Sequence, residues 1–116
     1  MAHSALISFK GGPITAMDAQ QGTLIFLAYG ESNSTVVQYT IAGGTTAIVA
    51  KFGERIQALI NDATYLWIAM GNRLMKYTIA DGTWVEVERY ACAIVSLSKY
   101  SSKVYVGLEN GDFSNF

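Results

Sequence analysis

The chain repeats itself, and the period of the repeat limits its fold more than any other feature. "ITAM" (Ile14–Met17) aligns with "IQAL" (Ile56–Leu59) and with "IVSL" (Ile94–Leu97), at offsets of 42 and 38 residues. "LIFLAYG", "YLWIAMG" and "KVYVGLE" follow in the same order. Each carries an aromatic at one place (Phe26, Trp67, Tyr105) and a small residue two positions on (Ala28, Ala69, Gly107). "VVQYTIAGGTTAIV" (Val36–Val49) then matches "LMKYTIADGTWVEV" (Leu74–Val87) without a gap. A unit of this size cannot bury its apolar face alone, so neighbouring units must stack.

Each unit predicts four short strands, here lettered A to D. Thr83, Val85 and Val87 alternate with Trp84, Glu86 and Glu88, the period of a strand. Gly and Asp-Gly turns punctuate the runs. The one proline, Pro13, stands just before the first A strand, where it removes no ladder bond. No stretch reads as a helix. Carried back to the N-terminus, the offset lays "SALISFKGGPI" (Ser4–Ile14) on "TAIVAKFGERI" (Thr46–Ile56). The predicted organisation is one domain: a D strand at 4–10, whole units at 14–50 and 56–90, and strands A to C at 94–116.

Four strands in about 40 residues is the pattern of a β-propeller blade. "NDATYLWIAMGNRLMKYTIADGTW" resembles the blade repeat of regulator-type propellers, with its pattern "LWIGT…GLYRYD…TG". "TIADGTW" resembles the Asp-box turn of sialidase-type propellers, although Thr78 stands one residue further from Asp81 than that motif has it. The likeness covers nearly the whole chain. It implies an all-β fold of four-stranded antiparallel blades, with Phe26, Trp67 and Tyr105 as packing wedges. An Asp-box is a turn and carries no activity.

Propeller rings have typically 4–8 blades, and three cannot close one. The expected solution is a homodimer with intermolecular strand exchange; the alternatives are a piece of a longer propeller and a different all-β fold such as a small β-sandwich. Each chain gives its D strand to the partner's A–C strands, a Velcro closure that makes a six-bladed ring and removes open sheet edges. A hydrophobic content of 51% fits a chain that buries surface against a second copy.

Composition excludes several functions. A net charge of −1 supplies no basic face for nucleic acid. No apolar run approaches the ~20 residues that span a bilayer, and the start "MAHSALISFKGG" lacks the pattern of a signal peptide. Localisation stays open. The single cysteine, Cys92, lies among apolar neighbours and reads as a small core residue. With His3 as the sole histidine, neither a catalytic triad nor a zinc site is expected. No glycine-rich phosphate loop opens a helix. No cofactor or metal is expected, and the balance is against an enzyme.

In a propeller, the B–C and D–A loops share one face. Here that face gathers Lys10, Glu31, Lys51, Glu54, Arg55, Arg73, Arg89 and Glu109. The B–C loop "GESNST" is longer than its counterpart "GNR", which makes Glu31 and Asn33 candidate contacts. Asn33 also opens an Asn-Ser-Thr glycosylation triplet. Arg55 and Arg73 can each present a fork to an anion. Arg89 with Tyr90 can do the same, or stack on a sugar or base. The plain alternative for these residues is solvated loop charge. Trp84 stands where the other repeats carry Thr46 and Ser4, so packing does not demand an indole there. Thr15, Gln57 and Val95, on the A strands, are expected to line the ring axis.

The sequence thus points to a non-enzymatic binding or assembly module, offering a face to a small ligand, glycan or protein. Three alternatives stand beside it. They are a lectin-like propeller, a structural part of a larger particle such as a phage tail, and a hydrolase or lyase at the ring centre. The last would draw on Glu31, Glu54 and Glu109 as acid and base.

Overall fold

The predicted alternation and glycine turns are realised as a run of antiparallel meanders. The computed structural model describes residues 9–20, 24–62, 64–101 and 103–116. Among these residues there are eleven strands and no helix. Strands β1 (Ile14–Gln20), β2 (Leu24–Tyr29), β3 (Ser34–Thr40) and β4 (Thr45–Phe52) form the first sheet, in that order. Strands β5 (Ile56–Asn61), β6 (Tyr65–Met70), β7 (Arg73–Thr78) and β8 (Thr83–Arg89) form the second. The third has three described strands: β9 (Ile94–Tyr100), β10 (Lys103–Leu108) and β11 (Phe113–Asn115). Every neighbouring pair is antiparallel. Sheets of four antiparallel strands are what the repeats predict. The proposed D strand at 4–10 falls mostly outside the described residues, as do His3 and Ser4.

The three sheets share more than strand order. The β1–β2 register skips Thr15, β5–β6 skips Gln57 and β9–β10 skips Val95. These are equivalent positions, so each first strand carries a bulge at the same place. The β3–β4 and β7–β8 ladders likewise skip Val49 and Val87, again equivalent residues. A bulge bends its strand and sharpens its twist. Thr15 and Gln57 use the bulge to reach the next strand. Thr15 Oγ1 donates to the Ala28 carbonyl at 3.4 Å, and Gln57 Oε1 accepts from Gly71 N at 2.6 Å. Turns repeat as well. Gly44 N donates to Thr40 O and Gly82 N to Thr78 O, each at 2.9 Å, with the glycines at φ 65° and 74°. A residue with a Cβ pays steric strain in that region.

The sheets stack in series through two apolar layers. Phe26, Ala28, Val36 and Phe52 of the first sheet meet Leu59, Leu66, Ile68 and Met75 of the second. On the second sheet's other face, Trp67, Ala69 and Leu74 meet Ile94, Val104 and Val106 of the third. Strand alternation makes this possible, because successive residues of β6 point to opposite layers. Phe26, Ile56, Leu66, Ile68 and Leu74 are fully buried, and each such side chain contributes roughly 1.5–3 kcal/mol of transfer free energy. Cys92 is only partly buried and packs against the second layer. The first strands lie side by side, β5 next to β1 and β9 next to β5. The fourth strands, β4 and β8, are mostly exposed. The sheets are thus ordered from a shared inner edge to a solvated outer one.

Candidate functional site

The β2–β3, β4–β5, β6–β7 and β8–β9 connections hold most of the sequence-predicted site residues. The β2–β3 loop is tight despite its length. Gly30 has φ 133°, and its N–H donates to Pro13 O at 2.9 Å. A Cβ on Gly30 would lie 1.8 Å from Asn33 O. Glu31, Ser32 and Asn33 are exposed beyond it, and Ser34 is buried. Ser34 Oγ accepts from Ile56 N at 2.8 Å, which fastens this loop to the start of β5. A shallow cleft of about 410 Å³ runs between Lys10, Gly11 and Gly12 on one side and Glu31, Ser32 and Asn33 on the other. A second, of about 310 Å³, is lined by Ser32, Gly53, Glu54, Arg55, Gln57 and Gly71. Ser32 borders both. Arg55 is exposed and makes no ion pair among the described residues.

The other two arginines are engaged. Arg73, at the start of β7, pairs with Glu54 of the β4–β5 connection and lies 3.7 Å from Glu86. Arg89 forks onto Glu86, with Nε at 3.2 Å and Nη2 at 2.8 Å. Hydrogen bonding from Arg89 holds the exposed Glu86 carboxyl below the usual carboxylate range, and Glu86 raises the Arg89 guanidinium in return. An incoming anion would have to displace these carboxylates. Tyr90 is tied by its backbone: its N–H donates to Asn72 O, and Asn72 Nδ2 donates to its carbonyl, both at 2.8 Å. Its ring packs against the second apolar layer, and its hydroxyl is buried without a hydrogen bond among the described residues. Burial, with the charge of Glu88, pushes that hydroxyl's pKa up.

Trp84 lies apart from this group. Arg73 pairs with Arg89 at one end of the β7–β8 ladder, and Tyr77 pairs with Trp84 near the other. Trp84 and Arg89 are five positions apart on β8, about 17 Å at the strand rise. The indole meets Phe52 of the first sheet edge to face, with centroids 5.2 Å apart, and stays 48% exposed. A packing partner therefore exists for Trp84, from a neighbouring sheet where repeat alignment could not show it.

A third cleft was not foreseen from sequence. About 710 Å³ in volume, it opens where β1, β5 and β9 end, among Met17, Asp18, Asn61, Asp62, Ser98 and Lys99. Asp18 Oδ2 accepts from Asn61 N at 2.8 Å and so links β1 to β5. Asp62 Oδ1 accepts from Thr64 N at 3.0 Å and Tyr65 N at 2.7 Å, and its Oδ2 accepts from Trp67 Nε1 at 3.0 Å. Burial pushes the Asp62 carboxyl up, but these hydrogen bonds and the charge of Lys99 outweigh it and leave the carboxyl below its ordinary value. Both aspartates are already occupied in shaping the β-connections. Among the described residues, no group of three or more His, Cys, Asp or Glu is placed to hold a metal ion.

No family model and no curated protein matches the sequence. Similar solved structures do exist. The computationally designed Ika8 protein superposes with a TM-score of 0.70 at 18% identity, over 89% of this chain and 32% of its own. The extracellular domain of BT4673 from B. thetaiotaomicron, described as a one component system, gives 0.68 at 13%, over 96% of this chain and 17% of its own. The designed Ika4 protein gives 0.53 at 12%, over 99% and 98%. The chain thus spans about a third of Ika8 and a smaller part of BT4673. Identities this low speak to fold alone, and they agree with an all-β arrangement of repeated sheets.

Proposed function

We propose that this chain is a non-enzymatic assembly and binding module, one half of a six-bladed β-propeller that two copies complete. One observation carries the reading. The third sheet has three described strands and ends on β11, where the other two sheets continue to a fourth. The D strand at residues 4–10 of a second copy is of the kind that would extend β11, and the exchange is reciprocal. Serial stacking of the sheets and the side-by-side inner strands support a ring around β1, β5 and β9. In that ring the β2–β3 and β4–β5 loops form the binding face, with Glu31, Asn33 and Arg55 its open polar groups. Arg73, Arg89, Tyr90 and Trp84 support that face and the blades beneath it.

Light scattering on the purified chain tests the assembly. The expected mass is twice 12.6 kDa, independent of concentration once the ring is closed. A single-chain mass at all concentrations overturns it. A second reading draws on the exposed apolar residues of the end sheets, which include Met17, Ile48, Tyr100 and Phe113. Head-to-tail contacts that fail to close make filaments, as a part of a larger particle would. A ladder of masses above the dimer would select that reading.

A further inference from the structure

We infer that the Tyr105–Phe113 face of the third sheet docks against the outward face of the first sheet of a second copy, at Met17 and Ile48. The inference rests on the assembly reading above and specifies its contact.

The chain already contains this contact twice. Phe26 and Ala28 pack onto Leu59, Leu66 and Ile68, and Trp67 and Ala69 pack onto Val104 and Val106. Each time, an aromatic with a small neighbour on one sheet meets the aliphatic face of the next. Tyr105 and Gly107 hold the same positions in the third sheet, and among the described residues no further sheet packs on them. The burial follows suit. Phe26 is 0% exposed and Trp67 8%, whereas Tyr105 is half-buried and stacks at 5.6 Å on Phe113, itself 76% exposed. The β10–β11 register sets Gly107 opposite Phe113, so both rings lie on one face.

The complementary aliphatic face is also present. Met17, Leu27 and Val37 occupy the places of Leu59, Ile68 and Met75. The registers Met17↔Leu27, Leu27↔Val37 and Val37↔Ile48 put all four residues on the side of the first sheet that faces away from the second. Leu27 and Val37 are buried, and Met17 and Ile48 stand 64% and 62% exposed. One end of the stack therefore shows an aromatic face without an aliphatic mate, and the other end an aliphatic face with open margins. A second copy offers the missing half to each. The contact is heterologous, and two of them close a two-chain ring.

The test uses Phe113→Lys and Ile48→Glu, measured by light scattering with far-UV circular dichroism as the check on folding. Each variant alone is expected to fall to the single-chain mass with its β spectrum kept. An equimolar mixture is expected to recover the dimer, because one aromatic–aliphatic contact is intact and the other sets Lys against Glu. Where a charged variant loses its β spectrum, Phe113→Ser is read instead, with an expected weakening of the dimer of about tenfold or more, as for a buried aromatic anchor. Variants that remain dimeric alone, beside a dimeric unaltered chain, overturn this contact and leave the assembly reading standing. So does a mixture of folded single variants that stays monomeric. An unaltered chain that is itself monomeric overturns the assembly reading.

Discussion

At the scale of single residues, the polar groups near the chain's connections act mostly as fasteners. Asp62 is the fullest case, with three donors on its two oxygens. Its carboxyl lies below the ordinary value of 3.8, so its contribution to stability is present above that value and is lost as pH falls through the lower folded-state value. Asp62→Asn is therefore expected to lower the urea midpoint at pH 7, and the gap to the unaltered chain should narrow toward about pH 2. A gap that stays constant with pH would show that the charge contributes nothing. Gly30 is the sharpest steric point. Gly30→Ala sets a Cβ against the Asn33 carbonyl at a φ that disfavours side chains, and should cost about 2 kcal/mol or more in urea unfolding. Arg73 and Trp84 were visible in the sequence as places where the repeats disagree. Their partners Glu54 and Phe52 were not, because one comes from the β4–β5 connection and the other from the end of β4, and only the packing brings them near. The role of Asp18 was not legible, since its acceptance from Asn61 N depends on β1 lying beside β5.

At the scale of the element, most of the strand pattern was legible. Alternation, β-branched runs and turn glycines placed four antiparallel strands in each whole repeat, and the sheets have them. The bulges were not legible, because Thr15, Gln57 and Val95 share a position and no chemistry. The last element, β11, bears the strongest prediction at this scale. Phe116 and Val104 exchange both backbone hydrogen bonds, so the N–H of the adjacent Asn115 points away from β10, toward the open edge. Asn115→Pro removes that donor and breaks no bond to β10. It is expected to abolish or sharply weaken the proposed dimer on a sizing column while the single chain keeps its unfolding midpoint. A dimer of unchanged affinity would mean that the second copy does not add a strand at β11.

For the whole molecule, the repeat period carried the sequence reading, because stacking is what a unit with two apolar faces must do. The order of the stack was legible for the same reason. The proposed binding face was less so, since loops that vary between repeats announce freedom from packing and do not say what they touch. The equivalent bulges at Thr15, Gln57 and Val95 carry a consequence of their own. A bend placed at the same point of each described first strand gives the three sheets one shared shape, set within the chain itself. In the proposed assembly, the arc that one chain sweeps decides how many chains make a circle. Ring size is then written into three inner residues as a pitch, and the interface only accepts the number it is given.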